Sequence, residues 1–227
     1  MDTISQLKQR NIIWQGMQAQ TNIERIPSHI CEIDQRLQGL PAYGVFSVSS
    51  IMGIGELRLF SHYLRHKQQQ GTVVFVAPPA QLNAEFFVQE DLSLEKVLIV
   101  SSSKPNDAIW AVEQCLKSGC CSAVVYWGLV TEMTQIRRCM LAAEQQHASL
   151  IMLHDSTSLS LSQPISLKMR LAPTATGVEL NIYKQKAGSP LAPFNVNLSR
   201  VWPDLYQDNT NRFLVSDGVH LSVQQQH

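Results

Sequence analysis

The first stretch of this chain whose residue types and spacing could do chemistry is Ser50-Ile51-Met52-Gly53-Ile54-Gly55-Glu56-Leu57. It lies between an apolar run, Val45 to Ser49, and an amphipathic one that begins at Glu56. Strand, glycine-bearing turn and helix, in that order, is where nucleotide-binding folds keep a phosphate loop. A working loop needs Gly-x-x-x-x-Gly-Lys-Ser/Thr. The glycines let backbone N–H groups wrap the phosphates, the lysine reaches the terminal phosphates, and the hydroxyl holds Mg²⁺. Here Gly53 and Gly55 are present, but Glu56 stands where the lysine belongs and Leu57 where the hydroxyl belongs. A carboxylate there repels a triphosphate. At about 4 Å and an effective dielectric near 20, each unit of like charge costs on the order of 4 kcal/mol, and exchanging a cation for an anion doubles the difference. Glu56 is expected instead to cap the helix that follows, using the positive end of its dipole. Gly53, Gly55, Glu56 and Leu57 thus make a degenerate phosphate loop, and no catalytic residue, ATP hydrolysis, cofactor or metal is expected.

Other candidates are weaker. Lys184 and Lys186 flank a strand end and point the same way if the strand continues. They would meet an acidic or phosphate group of a partner, although a solvated strand end explains so small a charge pair more simply. Trp202, Leu205, Tyr206, Phe213 and Leu214 are large apolar anchors in a polar tail, and either fold back or dock a partner. Arg137 and Arg138 fall mid-helix, where one of them is expected to face solvent. His154 and Asp155 are adjacent at a strand end and so point apart, which suits an exit from the sheet better than an acid–base pair. Leu92 and Leu94, in a run that superficially fits a sliding-clamp peptide, are expected to pack. The five cysteines, Cys31, Cys115, Cys120, Cys121 and Cys139, are odd in number and lack CxxC spacing. That argues against a disulfide framework or zinc site and for reduced, mostly buried thiols.

Periodicity supplies the elements that would position these groups. Ile30, Ile33 and Leu37 predict a short helix ended by Gly39 and Pro41. Strands are predicted at Val45–Ser49, Thr72–Ala77, Lys96–Ser101, Ser122–Trp127 and Ser149–His154. Helices are predicted over Glu56–Gln70, Ala80–Gln89, Asn106–Ser118 and Thr131–His147, the last with Met133, Ile136, Met140 and Ala143 on one side. Alternation of this kind implies parallel pairing with helices on both faces, and the nearly continuous apolar strands agree. After a Ser-rich loop, Ser156 to Gln163, two antiparallel strands are predicted at Leu167–Leu171 and Val178–Tyr183.

The chain has 227 residues, 44% of them hydrophobic, and its 18 Lys and Arg balance its 18 Asp and Glu. That suits one core domain over residues 26–198, an N-terminal helical and linker segment over 1–25, and a partly disordered C-terminal tail over 199–227. Without net positive charge, DNA contact is expected to be indirect. No apolar stretch is long enough to span a bilayer and no signal sequence is apparent, so the expected location is cytoplasmic.

Several runs, in order, resemble the ImuA family of RecA-like proteins. They are Ile13-Trp14-Gln15-Gly16, Met52 to Leu59 with its Gly-Ile-Gly-Glu-Leu-Arg core, Val76-Ala77-Pro78-Pro79, Ile109 to Gly119, Ile136-Arg137-Arg138 with Leu141 to Glu144, and Arg170-Leu171-Ala172-Pro173. Ile26-Pro27 to Asp34, and Lys184-Gln185-Lys186 with Pro193-Phe194, resemble RecA itself. The resemblance implies an α/β fold: a RecA-like P-loop-type core with a mostly parallel sheet flanked by helices, and C-terminal antiparallel strands. RecA-type ATPases also carry an acid after the second strand and an aspartate at the end of a later one, where this chain has Ala77-Pro78-Pro79 and Tyr126-Trp127-Gly128. The implied function is a non-catalytic accessory role in SOS-induced translesion DNA synthesis, a form of error-prone DNA repair. The implied partners are an ImuB-like polymerase-related protein, an error-prone C-family DNA polymerase and RecA, which would bring the chain to the nucleoid. Two other readings stand beside it: a SulA-like SOS cell-division inhibitor binding FtsZ, and, least favoured by the missing groups, an active RecA-like ATPase.

Overall fold

The computed structural model describes residues 23–155 and 163–203. A small antiparallel ladder, β1 (Arg25–Ile26) with β2 (Leu40–Pro41), brackets helix α1 (Cys31–Leu37). The main sheet follows: β3 (Gly44–Ser49), β4 (Thr72–Val76), β5 (Val97–Val100), β6 (Cys121–Trp127), β7 (Ser149–His154), β8 (Leu167–Thr174), β9 (Gly177–Gln185) and β10 (Leu191–Asn197). The helices between them are α2 (Ser61–Gln68), α3 (Ala84–Gln89), α4 (Pro105–Lys117) and α5 (Met133–Gln145). Strand order is β10-β9-β8-β3-β7-β6-β4-β5. The run from β8 to β5 is parallel throughout, and β9 and β10 add antiparallel pairs at one end. The protein is therefore a mixed α/β structure with a mostly parallel eight-stranded sheet flanked by helices, as the alternating pattern led us to expect.

The period of two along each strand sorts side chains into two cores. Phe46, Val48, Val73, Phe75, Val125 and Ile151 face α1, α2 and α3. Val45, Val74, Val76, Val124, Leu150 and Met152 face α4 and α5. Burial on both faces is why these strands read as unbroken apolar runs.

Several boundaries differ from expectation. The helix predicted from Glu56 begins later: Arg58–Phe60 is a 3-10 turn and the α-helix starts only at Ser61. The segment predicted to be helical from Ala80 starts at Ala84, because Asn83 caps it by accepting the Glu85 N–H at 2.9 Å. Pro105 occupies the first turn of α4, so the cap falls at Lys104 rather than Asn106 or Asp107. On α5 the fully buried positions are Ile136, Cys139, Ala142 and Ala143, while Met133 and Met140 are only half-buried. A third antiparallel strand, β10, was not expected; its exposed Ala192, Pro193 and Asn195 hide the pattern that buried Phe194 and Val196 carry. Leu92 is buried as expected, but Leu94 is 50% exposed. Arg137 and Arg138 both face solvent. The cysteines are less buried than expected: Cys31 and Cys120 are exposed, Cys115 and Cys121 intermediate, and only Cys139 buried. No helix among the described residues is long and apolar enough to cross a membrane.

Candidate functional site

In open parallel sheets, ligands bind where the carboxyl ends of the strands open into a crevice. Here the ends of β3, β4, β6 and β7 surround a cavity of about 290 Å³. Ser50, Met52 and Glu56 line it from the turn after β3, Ala77 and Pro79 from the end of β4, Trp127 and Gly128 from β6, and His154 and Asp155 from β7. The segments Ala77–Pro79 and Trp127–Gly128 converge on it with the turn after β3. His154 is held by its Nε2, 2.9 Å from the Ser47 hydroxyl, and Ala77 sits at φ +50 on the rim.

The turn itself departs from the expectation that Glu56 caps a downstream helix. The Glu56 side chain folds back into its own loop. The Gly53 N–H donates to both carboxylate oxygens, at 3.1 Å each, and Glu56 is only 7% exposed. The physical reason is conformational: Gly53 and Gly55 take φ +86 and +93, values that favour glycine, and these bend the backbone so that the upstream amide faces the carboxylate. An internal anion therefore takes the amide that a phosphate oxygen would need. Leu57 is half-buried against the aromatic core rather than turned toward the cavity. Of the cavity-lining residues, Glu56 and Asp155 are acidic and none is Lys or Arg. Ile51 and Met52, at the tip of the turn, are 64% and 61% exposed.

Next to the turn, Arg58 gathers three neighbours. Its guanidinium pairs with Glu90 and lies 5.5 Å from the Phe86 ring centre and 5.6 Å from that of Trp202. Trp202 is half-buried, packs on the aromatic core, and its backbone N–H donates to the Leu198 carbonyl at 2.8 Å. Of the tail anchors, this one folds back; Leu205, Tyr206, Phe213 and Leu214 lie outside the described residues. The remaining two candidates sit far from the turn. Lys184 donates to the Gln163 carbonyl at 2.6 Å, and Lys186 pairs with Glu144 at 2.6 Å and lies over Tyr43. Sequence reasoning saw the missing cation but not the bonds by which Glu56 turns back to Gly53. The signal available was the short Gly53–Glu56 spacing, which a side chain of that length can close.

The fold and this site define an α/β protein with a largely parallel sheet whose strand ends open onto an acidic, partly apolar crevice instead of a cationic phosphate cradle. Residues 52–151 match the family described as "Cell division inhibitor SulA". The crystal structure of SulA from Pseudomonas aeruginosa aligns over 48% of this chain and 96% of its own length, at 24% identity and a TM-score of 0.40. No curated protein matches the chain.

Proposed function

We propose that this protein is a non-catalytic component of the bacterial SOS response that works through protein contacts, as an ImuA-like accessory factor of translesion DNA synthesis with a RecA-like ancestry. One observation carries the non-catalytic part: the Glu56 carboxylate is bonded to the Gly53 amide inside the turn after β3, where a phosphate loop would lie. The crevice is left with two acids and no cation, so it disfavours a triphosphate at every point of contact. The SulA-family match supports the SOS setting. The ImuA-like reading is supported by the ordered runs quoted above, several of which lie outside the matched span, and by the three strands β8 to β10 that extend the sheet beyond it. Its partners would be an ImuB-like protein and an error-prone C-family polymerase, with any DNA contact made through them.

Two experiments test this. Calorimetry with Mg-ATP should give no binding up to millimolar nucleotide; micromolar affinity overturns the non-catalytic reading. Co-purification with an ImuB-like protein should succeed, and should weaken when residues 204–227 are removed if the tail is part of the interface. The deletion must spare Trp202, because that residue belongs to the folded core.

A second reading is favoured by the family match itself: a cell-division inhibitor acting on FtsZ. An FtsZ sedimentation assay separates the two. Lower polymer yield with the purified protein, together with no ImuB-like partner, selects the inhibitor.

A further inference from the structure

The two outer edges of the sheet are built differently. On β10, Pro193 and a register shift between Leu191 and Phe194 interrupt the ladder, and both features make an edge unfit for another strand. On β5, Val97-Leu98-Ile99-Val100 carries no charge, no proline and no bulge. Its outer side pairs with no strand among the described residues. Leu98 and Ile99 are 48% and 45% exposed. They lie on opposite faces of the sheet, beside Val74 and Phe75 of β4. Val88 of α3, and Leu94 in the turn before the strand, are exposed as well.

The backbone groups on that outer side follow from the inner pairing. The Val100 carbonyl accepts from the Ala77 N–H at 2.8 Å, so it points inward, toward β4. A planar trans peptide sets the next N–H opposite its carbonyl, so the Ser101 N–H points outward. Alternation along the strand turns both groups of Ile99 outward, and the Val97 carbonyl with them. The Val97 N–H is taken by the Leu94 carbonyl. In chain order the outer side therefore offers acceptor, donor, acceptor, donor. Read backward, that series is its own complement.

We propose that β5 is a joint between two copies of this chain, paired antiparallel about a two-fold axis at Ile99. Ile99 of each copy exchanges both backbone bonds with Ile99 of the other. The Ser101 N–H of each donates to the Val97 carbonyl of the other, making four bonds in all. A two-fold interface demands such self-complementarity, and a strand of a different partner does not. Leu98 then lies across from Val100 of the other copy, and the pairing covers apolar side chains on both faces. Equal numbers of acidic and basic residues, 18 of each, leave no net charge to hold the copies apart.

The test is sedimentation equilibrium of the full chain over the micromolar range, with hydrogen exchange resolved at Ile99 and Ser101. The mass should approach twice that of one chain, and protection of the two amides should rise with protein concentration. Ile99→Pro removes an outward N–H while leaving the bonds to β4 in place. Two of the four joint bonds are lost with it, at roughly a fivefold factor each, so association should weaken by roughly thirtyfold. Leu98→Lys places a charge on the edge and should also give monomer. Leu141→Ser, on the exposed face of α5, should still dimerise. The unfolding midpoint of each variant shows that it is folded. A monomer at every concentration overturns the proposal, and protection of both amides in that monomer would assign the edge to another segment of the same chain. A dimer that survives both Ile99→Pro and Leu98→Lys overturns it too, since the joint would then lie elsewhere.

Discussion

Removing the Glu56 carboxylate should loosen the turn it occupies, by an amount that follows from its geometry. The side chain is nearly fully buried and accepts from the Gly53 N–H through both oxygens at 3.1 Å. A hydrogen bond to a charged acceptor contributes about 1.5–3 kcal/mol net and a neutral one about 1 kcal/mol. Glu56→Ala, which deletes the acceptor, should therefore cost about 2 kcal/mol. Glu56→Gln, which keeps one oxygen but loses the charge, should cost about 1 kcal/mol. For a chain of this length about 2–4 °C of midpoint corresponds to each kcal/mol. The pair should then fall about 4–8 °C and about 2–4 °C below the parent in scanning calorimetry. Neither variant should gain Mg-ATP binding, because no lysine or hydroxyl takes the vacated place and Asp155 still lines the crevice. If Glu56→Ala unfolds at the same temperature as the parent, the carboxylate is not what closes the loop. If Glu56→Gln binds ATP, Glu56 alone was excluding it.

Three further perturbations probe the scaffold. Lys67 is buried and donates to the Ala42 and His147 carbonyls and to Gln70 Oε1, at 3.0, 2.8 and 3.0 Å; Lys67→Met strands those acceptors and should cost about 3 kcal/mol, or roughly 6–12 °C of midpoint. Gly39 sits at φ +95 with the Ile26 carbonyl oxygen 2.6 Å from where a Cβ would lie, so Gly39→Ala should break the β1–β2 ladder and lower urea resistance by more than about 1 kcal/mol. His62 stacks on His29 with ring centres 3.5 Å apart. Burial first, then His29, Arg65 and His66, hold its pKa at about 4, below the ordinary 6.5. The unfolded chain therefore takes up this proton before the folded one. Stability from this site is complete above about pH 6.5 and is lost as pH falls toward 4, by about 1 kcal/mol after allowing for solvent screening. In urea titrations across that window His62→Gln should flatten the slope, and an unchanged slope would remove His62 as its source.

The central strands were legible because burial on both faces leaves an unbroken apolar run in each, Val73–Val76 in β4 and Leu150–Leu153 in β7, a signal independent of context. The turn that lines the crevice was placed for the same reason, since it follows directly on one of those strands. The start of α2 was not. Arg58–Phe60 tightens into a 3-10 turn while Glu56 bonds backward to Gly53, and helical periodicity does not register a side chain that turns upstream. The ladder of Arg25–Ile26 with Leu40–Pro41 is too short to leave a pattern. Strand β10 carries Pro193 and Asn195 on its exposed face, residues that ordinarily signal a loop and are tolerated here because β10 is an edge of the sheet. The exposure of Cys120 depends on the turn at Gly119, which spacing alone does not reveal.

The guanidinium of Arg58 acts as a splice. It joins the turn behind the crevice, Phe86 of α3 with Glu90 just after it, and Trp202. A change at the Trp202 indole is therefore felt, through one arginine, at the residues that follow Glu56. One guanidinium thus ties the last described turn of the chain to the rim of the crevice.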